Sequence, residues 1–183
     1  SEMGLDAQAT VILWAMILPL IGAVGVVALG RWPNLRDSWT IVIGVSTFTC
    51  VTRLIEPVMA GARPSVTLPG NMLGRGLGLE VEPLDLLFGL VASGLWILTS
   101  LYGFGYMRGR EEVNQTRFFT CFALAISAAL GIAFAGDLIT LFLFYELLTF
   151  STYPLVTHAG TEAAIRAGRL YLGILVSTSV VFL

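Results

Sequence analysis

An all-α bundle of transmembrane helices is the fold that this sequence predicts, and three observations predict it. The 183 residues are 56% hydrophobic and only 12% charged, with a mean hydropathy of +0.86. That balance lies outside the range of a water-soluble domain. The apolar residues come in runs of about twenty, each long enough to cross a hydrocarbon core of about 30 Å as a helix. The charged residues fall in the gaps between those runs.

Hydropathy set against charge predicts six spans, near residues 10–30, 38–59, 84–106, 117–135, 137–157 and 163–183. The first run continues as a whole span without a small-residue cleavage site, so it reads as a retained helix and not as a signal peptide. Ser1, Glu2 and Met3 ahead of it read as a remnant of expression. The longest connection, 60–83, carries GARPSVTLPGNMLGRGLGLEVEP, whose glycines and prolines disfavour helix and suit turns or a short hairpin. In the fourth span Ser127, Gly131 and Ala135 recur every four residues, a spacing that lets a neighbouring helix come close. The chain divides into residues 1–116, the first three spans with their loop, and 117–183, the next three.

All ten basic residues are arginines. Arg31, Arg36, Arg108, Arg110, Arg117, Arg166 and Arg169 belong to the connections after the first, third and fifth spans. Arg53, Arg63 and Arg75 belong to the other side. An excess of basic residues marks the cytoplasmic face. The N-terminus, with Glu2 and Asp6, is therefore predicted outside, and the fifth span runs from Asp137 outside to His158 inside. The expected location is the cell's inner (cytoplasmic) membrane, crossed several times. Near the outer end of the second span, Arg53 and Glu56 sit three apart, on one helical face, as a predicted structural ion pair.

Several function classes are set aside by what the sequence lacks. Cys50 and Cys121 both fall inside apolar runs and read as packing residues, not as a disulfide framework. His158 has no Cys, His or acid pair at ligand spacing, so no metal site is expected. No CxxC, GxGxxG or phosphate loop is present, and no Ser/His/Asp set is placed for nucleophilic chemistry; no cofactor and no catalytic residue is expected in this chain. A haem or quinone subunit is disfavoured because no histidine lies within a span. The net charge of −2 gives no sign of nucleic acid, and no nucleic-acid partner is expected.

One residue points to a function. Glu146 lies in DLITLFLFYELLTFSTYPLVTH, nine residues past Asp137. At about 1.5 Å per residue that is about 13–14 Å along the helix, near the bilayer midplane. An ionisable group there costs about 2.5–3.5 kcal/mol and faces protein or water rather than lipid. Thr149, Tyr153 and Thr157 follow at i+3, i+7 and i+11, so one polar stripe continues from Glu146 toward the cytoplasmic end, where His158 lies. On the outer half the same face is Ile139 and Phe142. Pro154 removes a helical hydrogen bond and frees the Phe150 carbonyl as an acceptor. These residues outline a half-channel, lined by Thr149, Tyr153, Thr157 and His158, that ends at a proton-transferring carboxyl. The competing reading is a glutamate kept protonated and bonded to a neighbouring helix as packing glue. A proton on Glu146 needs a next site, and the chain contains no lysine. Glu82, Asp85 and Asp137 stand at span ends, as helix-start residues or ligands for the neighbouring loop.

Three stretches, in order, resemble the antiporter-like subunits of respiratory complex I and their relatives in Mrp-type sodium/proton antiporters and membrane-bound hydrogenases. The first is GLGLEVEPLDLLFGLVASGLWILTSLYGFGYMRG, similar to the family's third helix with its Gly-Tyr-Met end. The second is RFFTCFALAISAALGIAFAGDLITLFLFYELLTFSTYPLV, similar to the fourth and fifth helices with a Gly-Asp turn and an aromatic-Glu-Leu centre. The third is AAIRAGRLYLG, like the start of the sixth. Glu82, Pro83 and Asp85 depart from the family's usual residues at that segment.

The resemblance implies that Glu146 is the family's proton-transferring glutamate. It also implies that residues 117–183 are the first helices of a five-helix transport repeat, and that the chain is the N-terminal third of a longer subunit. A lysine on the seventh helix, which this sequence does not contain, would pair with Glu146. The implied function is proton translocation, or sodium/proton exchange, within a complex whose other membrane subunits are its partners. A redox-driven translocase of the NADH:quinone oxidoreductase type is one setting that the resemblance allows. The alternative is a structural or assembly subunit that moves no ions of its own.

Overall fold

A computed structural model describes residues 2–72, 75–111 and 113–182. The elements run α1 (Glu2–Ala28), α2 (Pro33–Thr52), α3 (Ile55–Met59), β1 (Ser65–Met72), β2 (Arg75–Glu80), α4 (Pro83–Gly109), α5 (Gln115–Ala133), α6 (Leu138–Val156) and α7 (Glu162–Phe182). Six helical segments are long and apolar enough to cross a membrane: α1, α2 continued by α3, and α4 to α7. The chain is thus a multi-pass, all-α membrane protein, as its hydropathy predicts.

The second span is not one continuous helix. It starts at Pro33, ahead of the expected residue 38, because proline suits the first helical position, where its missing N–H is not needed. It then breaks between Thr52 and Ile55. Pro57 has no N–H to offer the Arg53 carbonyl and its ring crowds that carbonyl, so the ladder fails one turn earlier. The break falls between Arg53 and Glu56, the two residues expected to pair. Among the described residues the ion pairs are Arg36–Asp37, Arg108–Asp37 and Arg63–Glu82, and Arg53 and Glu56 do not form one.

The glycine-rich connection forms an antiparallel hairpin, with Ser65 opposite Glu80, Val66 opposite Leu79 and Leu68 opposite Leu77. It closes over one end of the bundle. Leu79 and Val81 are buried and pack with Ile12 and Met16 of α1, Val51 of α2, Leu86 of α4 and Leu130 of α5. The free edge of β2 meets the α5–α6 turn, where the Glu80 N–H donates to the Phe134 carbonyl at 2.8 Å and the Gly136 N–H to the Gly78 carbonyl at 2.9 Å.

α1 packs on α2 and α5, α2 on α4, and α4 on α5, giving a four-helix cluster. α6 lies chiefly against α5, and α7 against α6. The recurring small residues of α5 serve three different neighbours. Ser127 donates to the Met16 carbonyl of α1 at 2.9 Å. Gly131 faces Phe144 of α6, and a Cβ there would lie 2.3 Å from the ring. Ala135 pairs with Leu79 of the hairpin.

At the opposite end, α2, α4 and α5 are tied by charge. Asp37, 7% exposed, takes the guanidinium of Arg36, itself 3% exposed, and that of Arg108 at the end of α4. Arg36 also reaches Gln115 Oε1 at 3.3 Å and lies over the Phe119 ring at 5.1 Å.

Candidate functional site

α6 begins on Asp137. Its Oδ1 accepts the Thr140 N–H at 2.8 Å, and its Oδ2 accepts the Thr140 hydroxyl and the Gly78 N–H, each at 3.0 Å. The Thr140 N–H above all, with the Gly78 N–H, holds this carboxyl below its ordinary pKa. Asp137 is therefore both the helix-start residue and the ligand for the neighbouring loop that its position predicts. Asp85 acts likewise at α4, accepting the Glu82 N–H at 3.0 Å within a reciprocal cap.

Glu146 stands half-buried in the middle of α6. Its Oε1 is hydrogen-bonded by the hydroxyl of Ser179 on α7, and Ser179 Oγ is also 2.9 Å from the Val176 carbonyl. Among the described residues no arginine or histidine forms an ion pair with Glu146.

The stripe below Glu146 follows the same helix face only in part. Tyr153 and Thr157 face Gly168 of α7, where an added Cβ would lie 3.2 Å from Tyr153 Cε2 and 2.3 Å from Thr157 Cγ2. Thr149 is buried. Its hydroxyl donates to the Tyr145 carbonyl at 3.1 Å, and that of Thr157 to the Tyr153 carbonyl at 3.0 Å. Both threonines thus spend their protons on their own helix. Pro154 sits inside α6 without ending it.

His158 lies just past α6, its ring edge-on to Phe118 of α5 with centroids 5.4 Å apart. Both ring nitrogens are buried without a hydrogen-bond partner among the described residues. Glu146, Tyr153 and Thr157 therefore meet α7, whereas His158 turns to α5.

Three residues escape a reading of the sequence. Thr152 and Tyr171 bring their hydroxyls within 3.4 Å across the α6–α7 seam, and Ser179 meets the glutamate. No signal in the sequence singles out Ser179, which with Gly168 is what α7 buries. Arg53 lies elsewhere, lining a cavity of about 360 Å³ between α1 and α2 with Trp14, Val45, Ser46 and Thr49. Among the described residues no group of three His, Cys, Asp or Glu side chains could hold a metal ion.

No protein-family model matches the chain. The Na(+)/H(+) antiporter subunit A1 of Staphylococcus aureus strain JH9 is 32% identical to it over 148 residues, which is 78% of this chain and 18% of that protein. The chain thus spans less than a fifth of the curated relatives it matches. Two solved complexes share its fold. A chain of the membrane-bound sulfane sulfur reductase, an archaeal respiratory membrane complex, superposes with a TM-score of 0.74 at 24% identity, over 88% of this chain and 33% of that one. A chain of the Mrp complex from Dietzia sp. DQ12-45-1b gives 0.73 at 17% identity, over 95% and 32%. The sequence match bears out the family likeness carried by the Gly-Asp turn and the aromatic-Glu-Leu centre of α6: the chain is a homologue of antiporter-like, Mrp-type membrane subunits.

Proposed function

We propose that this chain takes part in proton translocation across the cell's inner membrane, within a larger multisubunit complex, and that Glu146 accepts and releases the proton. The observation that carries the proposal is a half-buried carboxyl in the middle of a span, met by a hydroxyl and, among the described residues, by no ion-paired cation. An acid placed there is retained for exchange with a mobile charge more readily than for packing, since a neutral side chain would pack without the insertion cost.

The proton reaches Glu146 from the His158 end, along the face carrying Tyr153 and Thr157. That end gathers Arg36, Arg108 and the start of α5, which supports an inward-facing His158 and an outside N-terminus. A cation beyond this chain, on helices or subunits that complete the complex, receives the proton next. Residues from 117 onward form the first part of that transport unit. The sodium/proton antiport in the relative's name suggests an exchanged ion for the complex. At Glu146 itself the proton is favoured, because among the described residues no group of three His, Cys, Asp or Glu side chains gathers there to help strip a sodium ion of water.

The scaffold reading has one observation in its favour, since the bond between Glu146 and Ser179 is also what packing glue would make. Proton and sodium flux in proteoliposomes holding the intact complex separates the two. Glu146→Gln keeps the shape and loses the titration. Flux lost with the complex fully assembled is the expected result, and flux unchanged would leave this chain as a scaffold.

A further inference from the structure

The buried residues of α7 are Gly168 and Ser179, and they do different things. Gly168 lets Tyr153 and Thr157 approach the backbone. Ser179, 3% exposed, presents its hydroxyl to Glu146, and immediately after it Val180, Val181 and Phe182 are 63%, 74% and 81% exposed. Among the described residues Ser179 is the last of α7 to be buried.

A serine hydroxyl has one proton and can also accept. Ser179 Oγ faces two oxygens, Glu146 Oε1 and the Val176 carbonyl at 2.9 Å. A charged carboxylate only accepts, so beside it the Ser179 O–H must turn to Glu146 and leave the Val176 carbonyl. A protonated carboxyl can donate to Ser179 Oγ, which frees the serine proton for the Val176 carbonyl. Both contacts are then made at once. The serine O–H bond is never broken; it rotates.

We infer that Ser179 is a positioning residue for Glu146, holding the carboxyl against α7 in both protonation states by reversing the direction of one hydrogen bond. The inference rests on the reading of Glu146 as a transfer site. It assigns α7 a part in that transfer: the carboxyl gains or loses its proton without swinging away from the seam.

The test uses the intact complex in proteoliposomes, with proton flux and the infrared carbonyl stretch of the protonated carboxyl as its two readouts. Glu146→Gln identifies the band by removing it. Ser179→Ala is expected to assemble normally, to shift that band, and to lower flux about tenfold, the factor that one hydrogen bond to a charged group controls. Ser179→Thr, which keeps the hydroxyl, is expected to restore band position and flux. A band unmoved by Ser179→Ala overturns the inference whatever happens to flux, because a serine that merely packs would not alter the carboxyl's vibration. If Glu146→Gln leaves flux intact, the transfer reading fails by itself. The band shift then still decides whether Ser179 positions the carboxyl.

Discussion

In the cluster of α1, α2, α4 and α5 the interior holds Ile12, Leu54, Trp96 and Leu130, with the ion triad of Arg36, Asp37 and Arg108 at one end. The residues that α6 and α7 bury are Thr140, Thr149, Ser151, Gly168 and Ser179. The first region mixes such large side chains with small and hydroxylated ones such as Thr47, Ser93 and Ser127, whereas the second buries small and hydroxylated ones alone. Lipid tails solvate leucine as well as another helix does, so helices in a membrane associate through packing and hydrogen bonds. Hydroxyl contacts of the second kind are worth only about 0.6–2 kcal/mol each. The difference teaches where this fold is firm and where it can shift, and the candidate proton site lies in the looser part.

The largest expected effect belongs to the firm region. Asp37→Asn leaves the buried Arg36 guanidinium without its counter-charge. Breaking such a pair costs about 3–5 kcal/mol. The expected result is a sharp fall in the thermal stability of the assembled complex. The double replacement Arg36→Met with Asp37→Leu is expected to recover most of it, and failure to do so would mean that the triad does more than neutralise itself.

A smaller effect is expected in the loose region. Gly168→Val drives a side chain into Thr157 and Tyr153. Such overpacking costs about 1–3 kcal/mol. Hydrogen exchange is expected to rise in α6 and α7 while α1, α2 and α4 keep their protection. A rise spread evenly over all six spans would break the comparison.

The smallest effect joins the two regions. Asp137→Ala removes the cap of α6 and its hold on the hairpin. Loss of a cap costs about 1 kcal/mol at neutral pH. Since folding lowers the pKa of Asp137, its contribution is complete above the ordinary carboxyl range and fades as pH falls through and below it. The stability gap between variant and native protein should therefore close in acid, and a constant gap would assign the effect to lost contacts alone.

These regions were not equally legible in the sequence. Six spans could be read because a helix makes its hydrogen bonds locally, and a membrane demands that it do so. The hairpin could be read from its glycines and prolines. The kink after Thr52 was written in Pro57, but it acts on a carbonyl four residues back, and a hydropathy window averages over it. The ion triad was hidden because Asp37 finds Arg108 71 residues away and Arg36 finds Gln115 at a separation of 79. Glu146 stood out as an acid in an apolar run. Ser179, 33 residues later, did not, because a lone serine is ordinary in a span and its meaning comes only from what it faces.

Gly78 and Asp137 are 59 residues apart. A chain made from its N-terminus releases the hairpin well before α5 and α6 exist to receive it. Until the α5–α6 turn arrives, the outer edge of β2 has no strand to meet, and the end of the bundle stays open. Closure of that edge therefore waits until α6 has been inserted and capped.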